Sequence, residues 1–195
     1  MIADPVTAAI LVIIAYLMGS LSSAIIVCRS MGLPDPRTQG SHNPGATNVM
    51  RVGGKKAAAL TLAGDVLKGV FPVLAALWIQ PDWITLSATS FAAFIGHLYP
   101  VFFGFRGGKG VATALGVLLA SSWMVGLATI ATWLVVFALS RISALSALSA
   151  FLVMPVYAYF LVGEPVYTGT LSVITVMLFW RHRSNIRNLI DGTEA

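Results

Sequence analysis

Charge is what this sequence has least of. Asp, Glu, Lys and Arg make up 10% of its 195 residues, against about 25% in an ordinary soluble domain, while 57% are hydrophobic. A soluble domain of this length needs far more polar surface. The chain therefore reads as an all-α polytopic membrane protein, one domain over residues 1–195. The apolar runs are continuous rather than alternating, which excludes a membrane β-barrel. The single cysteine, Cys28, excludes a disulfide framework and a thiolate metal site. The 7 acidic residues form no cluster, so neither a divalent metal nor another cofactor is expected. No G-x-S-x-G elbow is present to raise a serine nucleophile. Nor does an aspartate follow any histidine five positions on: Thr47, Phe102 and Arg187 stand there after His42, His97 and His182. No basic-aromatic platform for nucleic acid is visible, and nothing calls for an obligate protein partner. Met1 to Asp4 lacks a basic leader region, so the first apolar run reads as a retained span.

What is present is a succession of apolar runs. They cover about Pro5–Val27, Ala57–Ile79, Trp83–Phe103, Val111–Ser140, Ile142–Val162 and Val166–Trp180. Val111–Ser140 is too long for one untilted span, and a break near Ser121, Ser122 and Trp123 makes it two, giving seven. Seven spans also satisfy the charge pattern. With the C-terminus cytoplasmic, Arg29, Arg37, Arg51, Lys55, Lys56, Arg106, Lys109, Arg141, Arg181, Arg183 and Arg187 all fall in or beside inside segments. Lys68, inside the second run, is the twelfth base. The outside segments hold Asp4, Asp82 and Glu164 and no base. The expected topology has the N-terminus periplasmic, the C-terminus cytoplasmic and the polar loops facing the cytoplasm.

The polar residues that survive in this background gather into four stretches. Gly40 to Arg51 reads G-S-H-N-P-G-A-T-N-V-M-R. It offers Ser41, Asn43, Thr47 and Asn48 as hydrogen-bonding groups and Arg51 as a guanidinium fork. It reads either as an anion cradle or as a loop between helices. Asp65 and Lys68, three apart on one helical face, either fix helix packing or support a site from below. The third stretch holds His97 and then R-G-G-K-G-V-A-T. Gly108, Lys109 and Gly110 there precede a helix whose free N–H groups suit an anion. No Walker loop is formed, because Lys109 is followed by neither Ser nor Thr. The tail R-H-R-S-N-I-R sets His182 and Asn185 three apart; it reads as part of a site or as a basic patch on anionic lipid. All four stretches face one side. Their convergence points to a phosphate site at a membrane interface, and to a substrate polar at one end and fatty at the other.

Taken together and in order, these four motifs resemble the bacterial acyl-phosphate-dependent glycerol-3-phosphate acyltransferases, the PlsY type, over essentially the whole chain. The resemblance implies a seven-helix inner-membrane enzyme of phospholipid biosynthesis. It would move a fatty acyl group from acyl phosphate to the 1-hydroxyl of glycerol 3-phosphate, giving lysophosphatidate and inorganic phosphate. Ser41, Arg51, Lys109, His182 and Asn185 would surround the phosphates, lined by Thr47, Gly108 and Gly110. The family usually has Gly where this chain has His42, which puts the local loop conformation in question. A transporter of organic phosphates would share the basic pocket but would also need a polar path outward. The outer halves of the runs hold no ionisable group. A lipid-binding scaffold would not need Asp65 and Lys68 within a span.

Overall fold

The computed structural model describes residues 4–194, so the reading of Met1 to Ala3 as part of an uncleaved start lies outside the described residues. The described residues form nine α-helices and one short 3-10 turn. The helices are α1 Pro5–Gly19, α2 Ser23–Ser30, α3 Ala46–Ile79, α4 Trp83–Leu98, α5 Val111–Ser121, α6 Trp123–Ser140, α7 Ser143–Leu161, α8 Pro165–Arg181 and α9 Arg183–Ile190. Local chemistry sets the starts. Asp4 accepts from the Val6 and Thr7 amides ahead of α1, and Asp82 accepts from Ile84 and Thr85 ahead of α4. Proline opens α1 and α8, where its missing N–H costs nothing.

The chain breaks at Ser122, whose extended backbone separates α5 from α6 within the expected region. Two other boundaries differ from expectation. The first run is two helices, bent by 42° across residues 20–22, and the Leu21 carbonyl freed at the bend accepts from a side chain of α3. Helix α3 begins at Ala46, eleven residues before the second apolar run, so the polar loop ahead of it extends only to Gly45. Gly54, at φ 76° and ψ −176°, kinks α3 where the polar arm joins the apolar one; no side-chain-bearing residue takes that geometry readily. Among the described residues, four helical segments are long and apolar enough to cross a membrane, or five counting the bent α1–α2 pair. At 11 and 17 residues, α5 and α8 are shorter.

Helices α1 and α4 pack together, as do α3 and α5, and α6–α7–α8 form a second group. Backbones touch where glycine allows it. A Cβ on Gly96 would lie 2.3 Å from the Tyr16 carbonyl oxygen, one on Gly69 2.3 Å from that of Thr113, and one on Gly116 2.1 Å from that of Val66. Without a hydrophobic drive between helices in lipid, such close contact supplies the attraction. Phe94, Leu118, Phe151, Tyr167 and Leu178 fill the main core. Trp78, Leu139 and Phe160 stand almost wholly exposed, as a lipid-facing surface requires.

Gly116→Val is expected to force α3 and α5 apart, costing at least about 1–3 kcal/mol. A thermal unfolding scan in detergent should show a clearly lowered midpoint. Gly169→Ala, whose added methyl meets nothing within 4 Å, should leave it unchanged.

Candidate active site at the glycine turn

The polar loop is fastened before it is functional. Asn48 is buried at the start of α3 and uses its whole amide on the loop. Its Nδ2 donates to the carbonyls of Pro36 (2.8 Å) and Gln39 (3.0 Å), and its Oδ1 accepts from the Ser41 amide (2.9 Å). The sequence reading had Asn48 among the phosphate ligands; the geometry turns it inward. Arg37 forms a two-pronged pair with Asp35, at 2.7 to 3.2 Å, and donates to the Phe103 carbonyl at 3.1 Å. These bonds hold the Asp35 carboxyl below its usual pKa. The loop is thereby tied to the segment ahead of α5. His42 sits at φ 57°, the left-handed region, with Nδ1 3.2 Å from the Arg37 carbonyl. That conformation accounts for a position where glycine is at home.

The glycine turn is held from two sides. The Gly108 amide donates to the His97 carbonyl at 3.2 Å. From α8, Arg181 donates through Nε to the Gly108 carbonyl (3.1 Å) and through Nη2 to that of Gly107 (2.7 Å). A side chain at Gly108 would collide with the His97 ring, its Cβ 2.3 Å from Nε2 and 3.0 Å from the Pro44 carbonyl oxygen. Gly110, at φ 93°, caps α5 and lies against the Phe94 ring.

Lys109 projects from this turn and donates to Asn185 Oδ1 on α9. Asn185 in turn donates to Glu194, which also accepts from Asn188 at 3.1 Å. Desolvation lowers the Lys109 pKa, and the nearby Arg181 and Arg51 lower it further against the pull of Glu194. His182, at the α8–α9 junction, is buried with Nδ1 2.9 Å from the Leu178 carbonyl. A carbonyl only accepts, so Nδ1 carries the proton and Nε2 is left as a lone pair. Desolvation is the main cause that lowers the His182 pKa to about 4, with help from the Lys109 charge. The imidazole is neutral at physiological pH.

Beneath the turn lies the charged pair. Lys68 Nζ is 2.8 Å from Asp65 Oδ1 and donates to the Leu21 carbonyl at 2.7 Å, inside the α1–α2 break. His97 Nδ1 is 3.7 Å from Asp65 Oδ1 and 3.1 Å from Thr113 Oγ1. Asp65, Lys68 and His97 are all buried.

The expected residues thus divide. Lys109 and Asn185 meet directly, and His182 and Arg51 are their electrostatic neighbours. Asp65, Lys68 and His97 form one network under Gly108. Asn43 packs beside Gly45, while Ser41 and Thr47 are exposed at the rim. Arg181 and Glu194 escaped the sequence reading. Arg181 had served only as a topological charge, and Glu194 sits in a tail with no apolar pattern to place it.

The family model for glycerol-3-phosphate acyltransferase matches residues 9–192. The chain belongs to that family. Its relatives include the glycerol-3-phosphate acyltransferases of Thioalkalivibrio sulfidiphilus, 59% identical over 96% of this chain and 92% of that one, and of Methylococcus capsulatus, 53% identical over 95% and 94%. The fold is similar to crystal structures of PlsY, an integral membrane glycerol 3-phosphate acyltransferase. Its glycerol 3-phosphate form gives a TM-score of 0.93 at 40% identity, over 97% of this chain and 94% of that one. Its lysophosphatidic acid form gives 0.91 at 39% over the same shares. Membership of this family agrees with a multi-pass membrane protein.

Two outcomes test the geometry. Lys68→Met should cost about 3–5 kcal/mol by leaving the Asp65 charge buried without its lysine, and Asp65→Leu/Lys68→Met should recover most of the loss; thermal midpoints decide. For His182, the folded pKa lies below the unfolded one, so the unfolded chain binds the extra proton between pH 6.5 and about 4. Stability should therefore fall as pH drops through that window, and His182→Gln should show a shallower fall in the same scan.

Proposed function

We propose that this chain transfers a fatty acyl group from acyl phosphate to the 1-hydroxyl of sn-glycerol 3-phosphate. The products are 1-acyl-glycerol 3-phosphate and inorganic phosphate, the first acylation of phospholipid biosynthesis. The observation that carries the reading is the meeting of Lys109, Asn185 and neutral His182 around a glycine turn held rigid at its carbonyls. Family membership supplies the glycerol 3-phosphate half. The acyl phosphate half rests on chemistry: a mixed anhydride needs no nucleophile from the protein, and the cluster offers cations and hydrogen-bond donors in its place.

In the proposed step the 1-hydroxyl oxygen attacks the acyl carbonyl carbon, the bond from that carbon to the bridging oxygen breaks, and phosphate leaves with that oxygen. Lys109 and Arg51 offset the charge gathering on the leaving group. Ser41, Asn43, Thr47 and the Gly108–Gly110 backbone orient the phosphates. The hydroxyl proton goes to an oxygen of the departing phosphate, with the neutral His182 ring helping to hold the substrate in place. No metal enters this scheme. The distribution of Lys and Arg supports seven spans, with the N-terminus periplasmic and the site on the cytoplasmic face of a bacterial inner membrane. The acyl chain then lies against lipid while both phosphates stay in the aqueous pocket.

Purified protein in lipid should form lysophosphatidate from glycerol 3-phosphate and palmitoyl phosphate in the presence of a chelator, and none from palmitoyl-CoA. Lys109→Ala should lower kcat about 100-fold or more, in line with loss of one charge-stabilising group. Turnover with palmitoyl-CoA at a comparable rate would overturn the donor assignment.

A further inference from the structure

A second basic cluster borders the glycine turn. A cleft of about 220 Å³ opens between the polar loop and the segment ahead of α5, lined by Arg37, His42, Pro44, Arg106, Gly107 and Arg181 among others. Lys109, Asn185 and His182 do not line it. Three guanidiniums face it, and one neighbouring carboxylate, Asp35, is already paired with Arg37. Arg181 spends two of its five N–H donors on the Gly107 and Gly108 carbonyls, which leaves three. The Arg106 side chain makes no hydrogen bond or ion pair with any described residue, although it lies close enough to Asp35 to lower that group's pKa.

The backbone gives this arrangement unusual support. Gly104 and Phe105 are consecutive residues in the left-handed region, at φ 66° and 58°. An aromatic residue adopts that geometry only when its surroundings impose it, and such positions gather at binding sites. The turn presents Phe102 and Phe105 to the exterior, both more than half exposed, with Trp180 similarly exposed next to Arg181. Aromatic rings in that setting mark the membrane–water boundary.

We propose that this cleft is a second phosphate-binding site, taking a phosphate monoester at the membrane surface through Arg37, Arg106 and Arg181. Forked guanidiniums match the oxygens of a monoester carrying up to two charges. The same chemistry is offered by free phosphate and by the headgroup of a phosphatidate-type lipid. The exposed rings suit the lipid, whose chains would pass beside them. Binding here is measured without turnover, so its failure and that of the acyl-transfer reading are distinguishable.

The test uses the full chain in phosphatidylcholine nanodiscs carrying Lys109→Ala, which weakens the first site. Dihexanoyl phosphatidate and radiolabelled inorganic phosphate are titrated in parallel. Arg106→Gln is expected to weaken phosphatidate binding at least tenfold, and Arg106→Lys to restore part of it; thermal midpoints should be equal, since Arg106 is exposed. A tenfold preference for phosphatidate over inorganic phosphate assigns a lipid headgroup, and equal affinities assign a soluble phosphate. Absence of binding in the Lys109→Ala protein, or binding that Arg106→Gln leaves unchanged, overturns the proposal.

Discussion

One buried ion pair, Asp65 with Lys68, organises the part of the molecule that matters for chemistry. Two charges withdrawn from water are tolerated only when each has further partners. Lys68 finds its second partner in the Leu21 carbonyl, which is available only because the first helix unwinds there. Asp65 has His97 beside it, and His97 is in hydrogen-bond range of Thr113. Four parts of the fold are joined in this way: the α1–α2 break, α3, the end of α4 and the start of α5. The His97 ring then forms the floor under Gly108. Compensating one buried pair and building a base for the turn are the same act.

Above that floor the residues follow a division of labour. Asn48, Arg37 and Arg181 donate to backbone carbonyls and so fix the shape of loop and turn. Lys109, Asn185 and His182 face one another across elements that those bonds have already set. Preorganised donors lose little on meeting a phosphate, whereas mobile ones would have to be ordered first. His182 fits the scheme as a neutral group, kept so by burial and by a carbonyl that fixes its tautomer.

Much of this was legible in the sequence, for reasons that differ by residue. Composition alone required apolar helices, and the excess length of Val111–Ser140 required the break found at Ser122. The three-residue spacing of Asp65 and Lys68 gave their pairing. The α1–α2 break was hidden because Lys68, which its freed carbonyl serves, lies 47 positions away along the chain. The use of Asn48 to tie the loop was not legible, because an asparagine serving a loop and one serving a ligand look alike until partners are known. Arg181 was hidden in the same way, its partners being carbonyls, which every residue has. His42 signalled an unusual backbone correctly: it takes the left-handed conformation that its neighbourhood demands.

The kink at Gly54 separates two duties that one helix would otherwise have to share. The arm before it carries Arg51, and the length after it carries Asp65 and Lys68 in the packed interior. A rigid rod would transmit every change in the polar loop to the buried pair. With a joint between them, the aqueous end can change its angle while the apolar end keeps its register.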